Sequence, residues 1–179
     1  MGDSLSKIVA IIIGVFLLFI YPISNMFERQ DDITRIFVLA ETTKLVDSVR
    51  NLGYITPTMY LEFSNNLAAT NNLYDIQMEH RRKVYDPLYD DPTIPSTFKD
   101  TFNINYTANY TEDIMETLFP DPPNTDGKYT FSKGDYFLVK VTNRNKTIAT
   151  RIHEMLYATF LSTEKIIVKY GGMIKDEDY

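Results

Sequence analysis

Residues Ile8–Ile20 read IVAIIIGVFLLFI, an unbroken apolar run that continues through Tyr21 and Pro22 to Ile23. Sixteen residues of helix (8–23) cover about 24 Å, slightly short of a hydrocarbon core of about 30 Å. No pair of small residues marks a cleavage site after the run, and a soluble core helix is not normally apolar on every side. The reading is therefore an uncleaved membrane anchor at 8–23, preceded by a short tail at 1–7. From residue 24 to 53 the pattern turns amphipathic. Ile36, Leu39, Thr43, Val46, Val49 and Gly53 recur at steps of three and four, widened by Leu45 and Leu52, with Arg35, Glu41, Lys44, Asp47 and Arg50 elsewhere. One helix from Lys7 to Gly53 would be roughly 68 Å long. Pro22 predicts a kink or local unwinding inside it, and Gly53 suits its C-terminal cap.

The remaining chain, 54–179, reads as a head domain. Thr56-Pro57 opens a second helix by capping threonine and first-turn proline, with Met59, Tyr60, Phe63 and Leu67 as its apolar face. Leu73–Tyr85 alternates, placing Tyr74, Ile76, Met78 and His80 on one side of a half-buried strand. Asp86–Asn109, with Pro87, Pro92 and Pro95, reads as a long surface loop. Thr111–Phe119 is a short helix capped by Thr111, and Pro122–Gly127 is turn-forming. Lys128–Phe131 is a short edge strand and Gly134–Val141 the clearest central one. Lys146–Phe160 is a helix with Ile148, Ile152, Met155, Leu156 and Phe160 on one side. Glu164–Tyr170 is the last strand, Gly171-Gly172 a turn, and an acidic tail follows. This order predicts an α+β fold: a long N-terminal transmembrane-plus-stalk helix packed on a small, largely antiparallel sheet with additional helices.

Composition narrows the functional classes. With 44% hydrophobic and 23% charged residues the chain is globular in character. A net charge of −6 argues against nucleic acid as the principal partner. The absence of cysteine removes disulfides, thiolate metal sites and cysteine nucleophiles together. His80 and His153, the two histidines, fall in no metal-ligand spacing. Asp86, Asp90 and Asp91 lack the alternation and closing glutamate of a calcium loop. Neither Gly134-Asp135 nor Gly171-Gly172 makes a phosphate-loop pattern, and no serine sits in a nucleophile elbow. Three Asn-X-Thr triplets, at Asn105, Asn109 and Asn145, match a glycosylation pattern that matters only in a eukaryotic secretory setting. No catalytic residue, cofactor or metal is expected, and the chain does not read as an enzyme.

The layout of short tail, apolar helix, amphipathic continuation and α+β head resembles pilin-like proteins of the type IV filament class. Several segments are more narrowly similar to TadE-like minor pilins of Gram-positive tight-adherence pili. They are Asp31-Asp32, Val49–Pro57 (VRNLGYITP), Leu67–Thr70 (LAAT), Lys133–Phe137 (KGDYF) and Tyr170–Met173 (YGGM). The resemblance implies a membrane-anchored structural subunit that packs laterally with other pilin-like subunits or pilus-assembly membrane proteins, as a homo- or hetero-oligomer. Lys and Arg are nearly balanced across the anchor, but Asp31 and Asp32 close to the membrane and the very short tail favour a cytoplasmic N-terminus and an extracytoplasmic head. Gly14 and Pro22 match in kind the helix-weakening residues of that class, and Gly14 permits close helix approach. Asp31 and Asp32 are expected to meet basic residues of a neighbour at the membrane edge. Ile33, Ile36 and Phe37 lie where packing on the chain's own head and packing on a neighbouring copy compete evenly. The chain departs from the family pattern in showing no basic leader before Asp3-Ser4-Leu5 and no glutamate early in the helix, which favours a minor or accessory subunit over the main shaft. Two other classes stay open: a tethered ligand-binding or sensor module, and a membrane-anchored hydrolase if a polar pocket gathers a histidine with two carboxylates.

Overall fold

A computed structural model describes residues 2–121, 127–157 and 166–175. Helix α1 (Gly2–Leu52) is a single helix that takes in the tail, the apolar run and the amphipathic segment. It continues through Pro22, so the expected local unwinding does not occur; the missing amide proton costs one backbone hydrogen bond and leaves the helix intact. Gly53 ends it in the left-handed region (φ 72°), donating its N–H to the Val49 carbonyl at 2.8 Å. Strand β1 (Tyr54–Ile55) follows at once. Helix α2 (Pro57–Ala68) then starts as read, with the Thr56 hydroxyl accepting from the Met59 N–H and with Phe63 and Leu67 buried.

Strand β2 (Tyr74–Tyr89) runs well past the limit read from the pattern, and β3 (Phe98–Tyr110) returns along it. The segment expected as a long loop, 86–109, is thus the outer half of a hairpin whose tip carries a 3₁₀ turn at Pro95–Thr97. The prolines that suggested a loop lie at the tip and at the register shift between Pro87 and Tyr89, where a ladder tolerates them. Helix α3 (Thr111–Leu118) forms as expected, but Thr111 does not cap it. Asp113 accepts from the Tyr110 N–H instead, and the Thr111 hydroxyl ties the helix to β2 by accepting from the Met78 N–H at 2.7 Å. Strands β4 (Tyr129–Thr130) and β5 (Tyr136–Asn143), helix α4 (Ile148–Tyr157) and strand β6 (Ile167–Met173) complete the fold. The expected turn at Pro122–Asp126, the end of the fourth helix and the acidic tail from Asp176 lie outside the described residues.

Two sheets result. One has four antiparallel strands in the order β3-β2-β5-β6, and the other pairs β1 with β4. The fold is α+β, a long apolar N-terminal helix on a small antiparallel sheet. The core lies between the sheet, the upper half of α1, α2 and α3: Val38, Leu45, Val46 and Val49 meet Met78, Phe137, Val139, Val141 and Val168, with Phe63, Leu67, Ile114 and Leu118 closing the ends. Each such side chain contributes about 1.5–3 kcal/mol of burial. Gly171 and Gly172 are not a turn; they lie inside β6, because a Cβ on Gly172 would sit 2.6 Å from the Arg50 guanidinium that crosses it.

The strands run along α1. Asp31 stands beside Thr147, just past the Asn143 end of β5, while Arg50 stands beside Met173, level with Tyr136 and Arg81. Strand β2 therefore climbs in the same sense as α1. Beyond Arg81 it loses β5 as a partner and carries on with β3 alone, reaching about 26 Å farther at ~3.3 Å per residue. Among the described residues the hairpin tip lies farthest from the apolar run.

Candidate functional site

At 100° per residue, α1 presents two opposite faces. One carries Ser24, Asp31, Val38, Thr42, Leu45 and Val49, and all of these are buried or partly buried against the rest of the chain. The other carries Leu18, Pro22, Met26, Arg29, Ile33, Ile36 and Ala40, and all of these are exposed. Ile33 is 68% and Ile36 67% exposed, with Phe37 at 39% on the flank. The stripe expected to face the core is corrected accordingly. Val46 and Val49 belong to it, but Ile36, Leu39 and Leu52 are exposed and Val38 and Thr42 take their place. Gly14 lies within the apolar run with open space around its Cα, and Pro22 sits on the exposed stripe. The helix from Ser4 onward is long and apolar enough to span a membrane, and its most apolar window has almost no cover from the chain.

The acidic pair at the foot of the head divides. Asp31 accepts a hydrogen bond from the Thr147 hydroxyl at 2.7 Å, so the structure gives it a partner from its own chain. Asp32, one position round the helix, is exposed. Helix α4 explains the difference. It sets Thr147, Thr150 and His153 toward α1, where His153 Nε2 lies 2.7 Å from Glu28 Oε1. Of the apolar side predicted for this helix, Ile148 and Met155 are exposed, Ile152 and Leu156 are half-buried, and Phe160 lies outside the described residues. The lower contact of head and helix is thus polar and the upper one apolar.

His80 reaches a different environment. It is 4% exposed, and a chain of hydrogen bonds passes through it. Asn109 Nδ2 donates to the Tyr129 hydroxyl (2.9 Å), which is hydrogen-bonded to His80 Nδ1 (2.8 Å), and His80 Nε2 donates to Asp135 Oδ2 (2.9 Å). Asp135, 1% exposed, also accepts from the Ser132 and Lys83 backbone N–H groups. Burial raises the Tyr129 pKa, which keeps the hydroxyl a donor. The depression above it, of about 300 Å³, is also lined by Arg82, Thr117 and Lys128. Both ring nitrogens are used by protein partners, and a single carboxylate meets the ring. No group of three or more His, Asp or Glu side chains is placed to hold a metal among the described residues. What the arrangement does is lock β4, β5 and the hairpin base together.

The hairpin was not legible as a site. Its outer face sets Tyr85, Phe102, Ile104 and Tyr106 beside Tyr136 of β5, all exposed, with Tyr85–Phe102 and Tyr106–Tyr136 in edge-to-face contact and the Lys83 ammonium 4.7 Å above the Tyr85 ring. The signal was the period-two alternation Phe102-Asn103-Ile104-Asn105-Tyr106, masked by prolines and aspartates on both sides. Comparison of the chain with protein-family models, curated proteins and solved structures gives no match.

Proposed function

We propose that this protein is a membrane-anchored, pilin-like structural subunit: residues 8–23 lie in the bilayer, the head stands on the extracytoplasmic side, and the exposed face of α1 packs against the helices of neighbouring subunits. The observation that carries this reading is the apolar face above the anchor. Ile33 and Ile36 lie ten or more residues beyond Ile23, past the reach of the hydrocarbon, and the chain's own head covers the opposite side. Large exposed apolar side chains that continue a membrane-spanning stripe mark a surface that meets protein. Arg29 on this face and the exposed Asp32 one turn on, beside it, supply opposite charges to a neighbour at the membrane edge. The TadE-like resemblance of the sequence agrees with this arrangement, and a minor subunit of a tight-adherence type of pilus is its most specific form.

Crosslinking in intact membranes tests the reading. The chain has no native cysteine, so Ile36→Cys introduces a single reactive site. Disulfide-linked or bismaleimide-linked dimers are expected from Ile36→Cys and not from Asn65→Cys, which is exposed on α2. Equal yields from the two, or recovery of the chain in the soluble fraction, overturn it.

A further inference from the structure

We propose that β3 is a self-association edge, along which a second copy of this chain pairs antiparallel with Ile104 on the two-fold axis. This goes beyond the lateral helix packing above and uses another surface. Strand β3 is an outer strand of the four-stranded sheet, and its residues 99–107 are all exposed. Protein sheets usually guard such an edge with charge, proline or a bulge. The other free edge of the hairpin is guarded in this way: β2 beyond Arg81 carries Arg82, Lys83, Asp86 and Pro87. Strand β3 carries no charge and no proline from Thr101 to Tyr110, in a chain whose net charge is −6. Its irregularity, Asp100 at φ 53°, lies outside that stretch.

The occupant follows from the pattern. A two-fold interface must be self-complementary. About Ile104, the segment Phe102-Asn103-Ile104-Asn105-Tyr106 reads the same in both directions: apolar, amide, apolar, amide, apolar. In the register centred there, Phe102 stands opposite the second copy's Tyr106, and Asn103 opposite its Asn105. Aromatic meets aromatic on one face and amide meets amide on the other, the cross-strand pairs that stabilise sheets. A slip by one residue opposes apolar with amide along the whole segment. Because β3 runs along α1, the two anchors leave such a dimer in opposite directions. On the membrane reading above, which this last step rests on, the pair joins facing bilayers. Twenty-six helical residues from Ser24 to Arg50, plus four strand residues to the level of Ile104, place those bilayers about 100 Å apart.

The test uses single-cysteine variants of the full chain in phosphatidylcholine–phosphatidylglycerol vesicles. Ile104→Cys is expected to form a disulfide dimer on mild oxidation, since directly opposed residues lie within disulfide reach. Thr101→Cys alone is not, because its two copies sit six residues apart, about 20 Å; mixed with Thr107→Cys it is expected to link. No Ile104→Cys dimer from protein with unchanged circular dichroism, or equal linking at 101, 104 and 107, overturns the proposal. Ile104→Lys, which opposes two ammonium groups on an exposed position, should lower vesicle clustering by about tenfold while Ile104→Val leaves it unchanged. A dimer yield independent of vesicle concentration overturns the facing-bilayer arrangement. Extraction of the chain from vesicles by alkaline carbonate overturns the membrane reading alone, and Ile104→Cys in detergent then still decides the edge pairing.

Discussion

Ile36 and Val38 sit two residues apart on one helix, and one is two-thirds exposed while the other is fully buried. The lower and upper halves of α1 differ in the same way. Above Val38 the helix has a covered face and a charged one, as a helix on a sheet must. Below it, large apolar residues occupy the side that the head leaves open, and the polar contacts of head and helix among the described residues include Asp31–Thr147 and Glu28–His153. The upper half is bound by burial and is a matter of folding. The lower half is held among the described residues by these polar contacts, and on the proposed reading its apolar surface serves assembly. One helix thus carries a face that belongs to the core and a face that the chain leaves open, without any change in its own geometry.

Substitutions separate these two roles. The largest effect is expected from Val46→Asp, which puts an unpaired charge among core side chains and costs roughly 3–5 kcal/mol. Chemical denaturation of the full chain in detergent should show the loss, and an unchanged midpoint would mean that the upper half is not core. Asp135→Ala follows at about 3 kcal/mol, because it orphans two backbone N–H groups and His80 at once. Hydrogen exchange should then rise at the base of the hairpin before it rises at α1. Gly172→Ala is expected to cost about 1 kcal/mol, as the Arg50 side chain shifts away from the added methyl. The smallest effect on stability, within about 0.5 kcal/mol, is expected from Ile33→Ser combined with Ile36→Ser. That pair should nevertheless abolish membrane crosslinks from a cysteine at Phe37, and retention of the links would move the assembly surface elsewhere.

The sequence pattern carried the long helix, its glycine cap, the α2 start signal and the central strand, because each is set by local rules of periodicity and capping. It misjudged which side of α1 the head covers. Ile33, Ile36, Leu39 and Leu52 are as apolar as Val38 and Val49, so periodicity sees a broad stripe and cannot say which part of it finds a partner. The hairpin was lost for a related reason. Asp91 and Pro92 signal a turn and form one, but only at the tip of two strands that continue on either side, while Pro87 lies inside β2 at a register shift. Long-range polar pairs were beyond reach altogether: Asp135 lies 55 residues from His80, and Thr147 lies 116 from Asp31.

The unbroken course of α1 has a mechanical consequence. Among the described residues no loop or linker stands between the apolar run and the core, since residues 2–52 are one helix and Val38–Val49 seat it against β5 and β6. A load on the distal hairpin passes along β2 to its neighbours in shear, with the eight-residue β2–β5 ladder and the β5–β6 ladder loaded together. From there it enters α1 through side chains spread over three turns of helix. A tethered head on a flexible linker would swing under such a load. Held at its apolar run, this one would transmit it as tension along the helix axis, with the polar contacts of α4 loaded alongside the core.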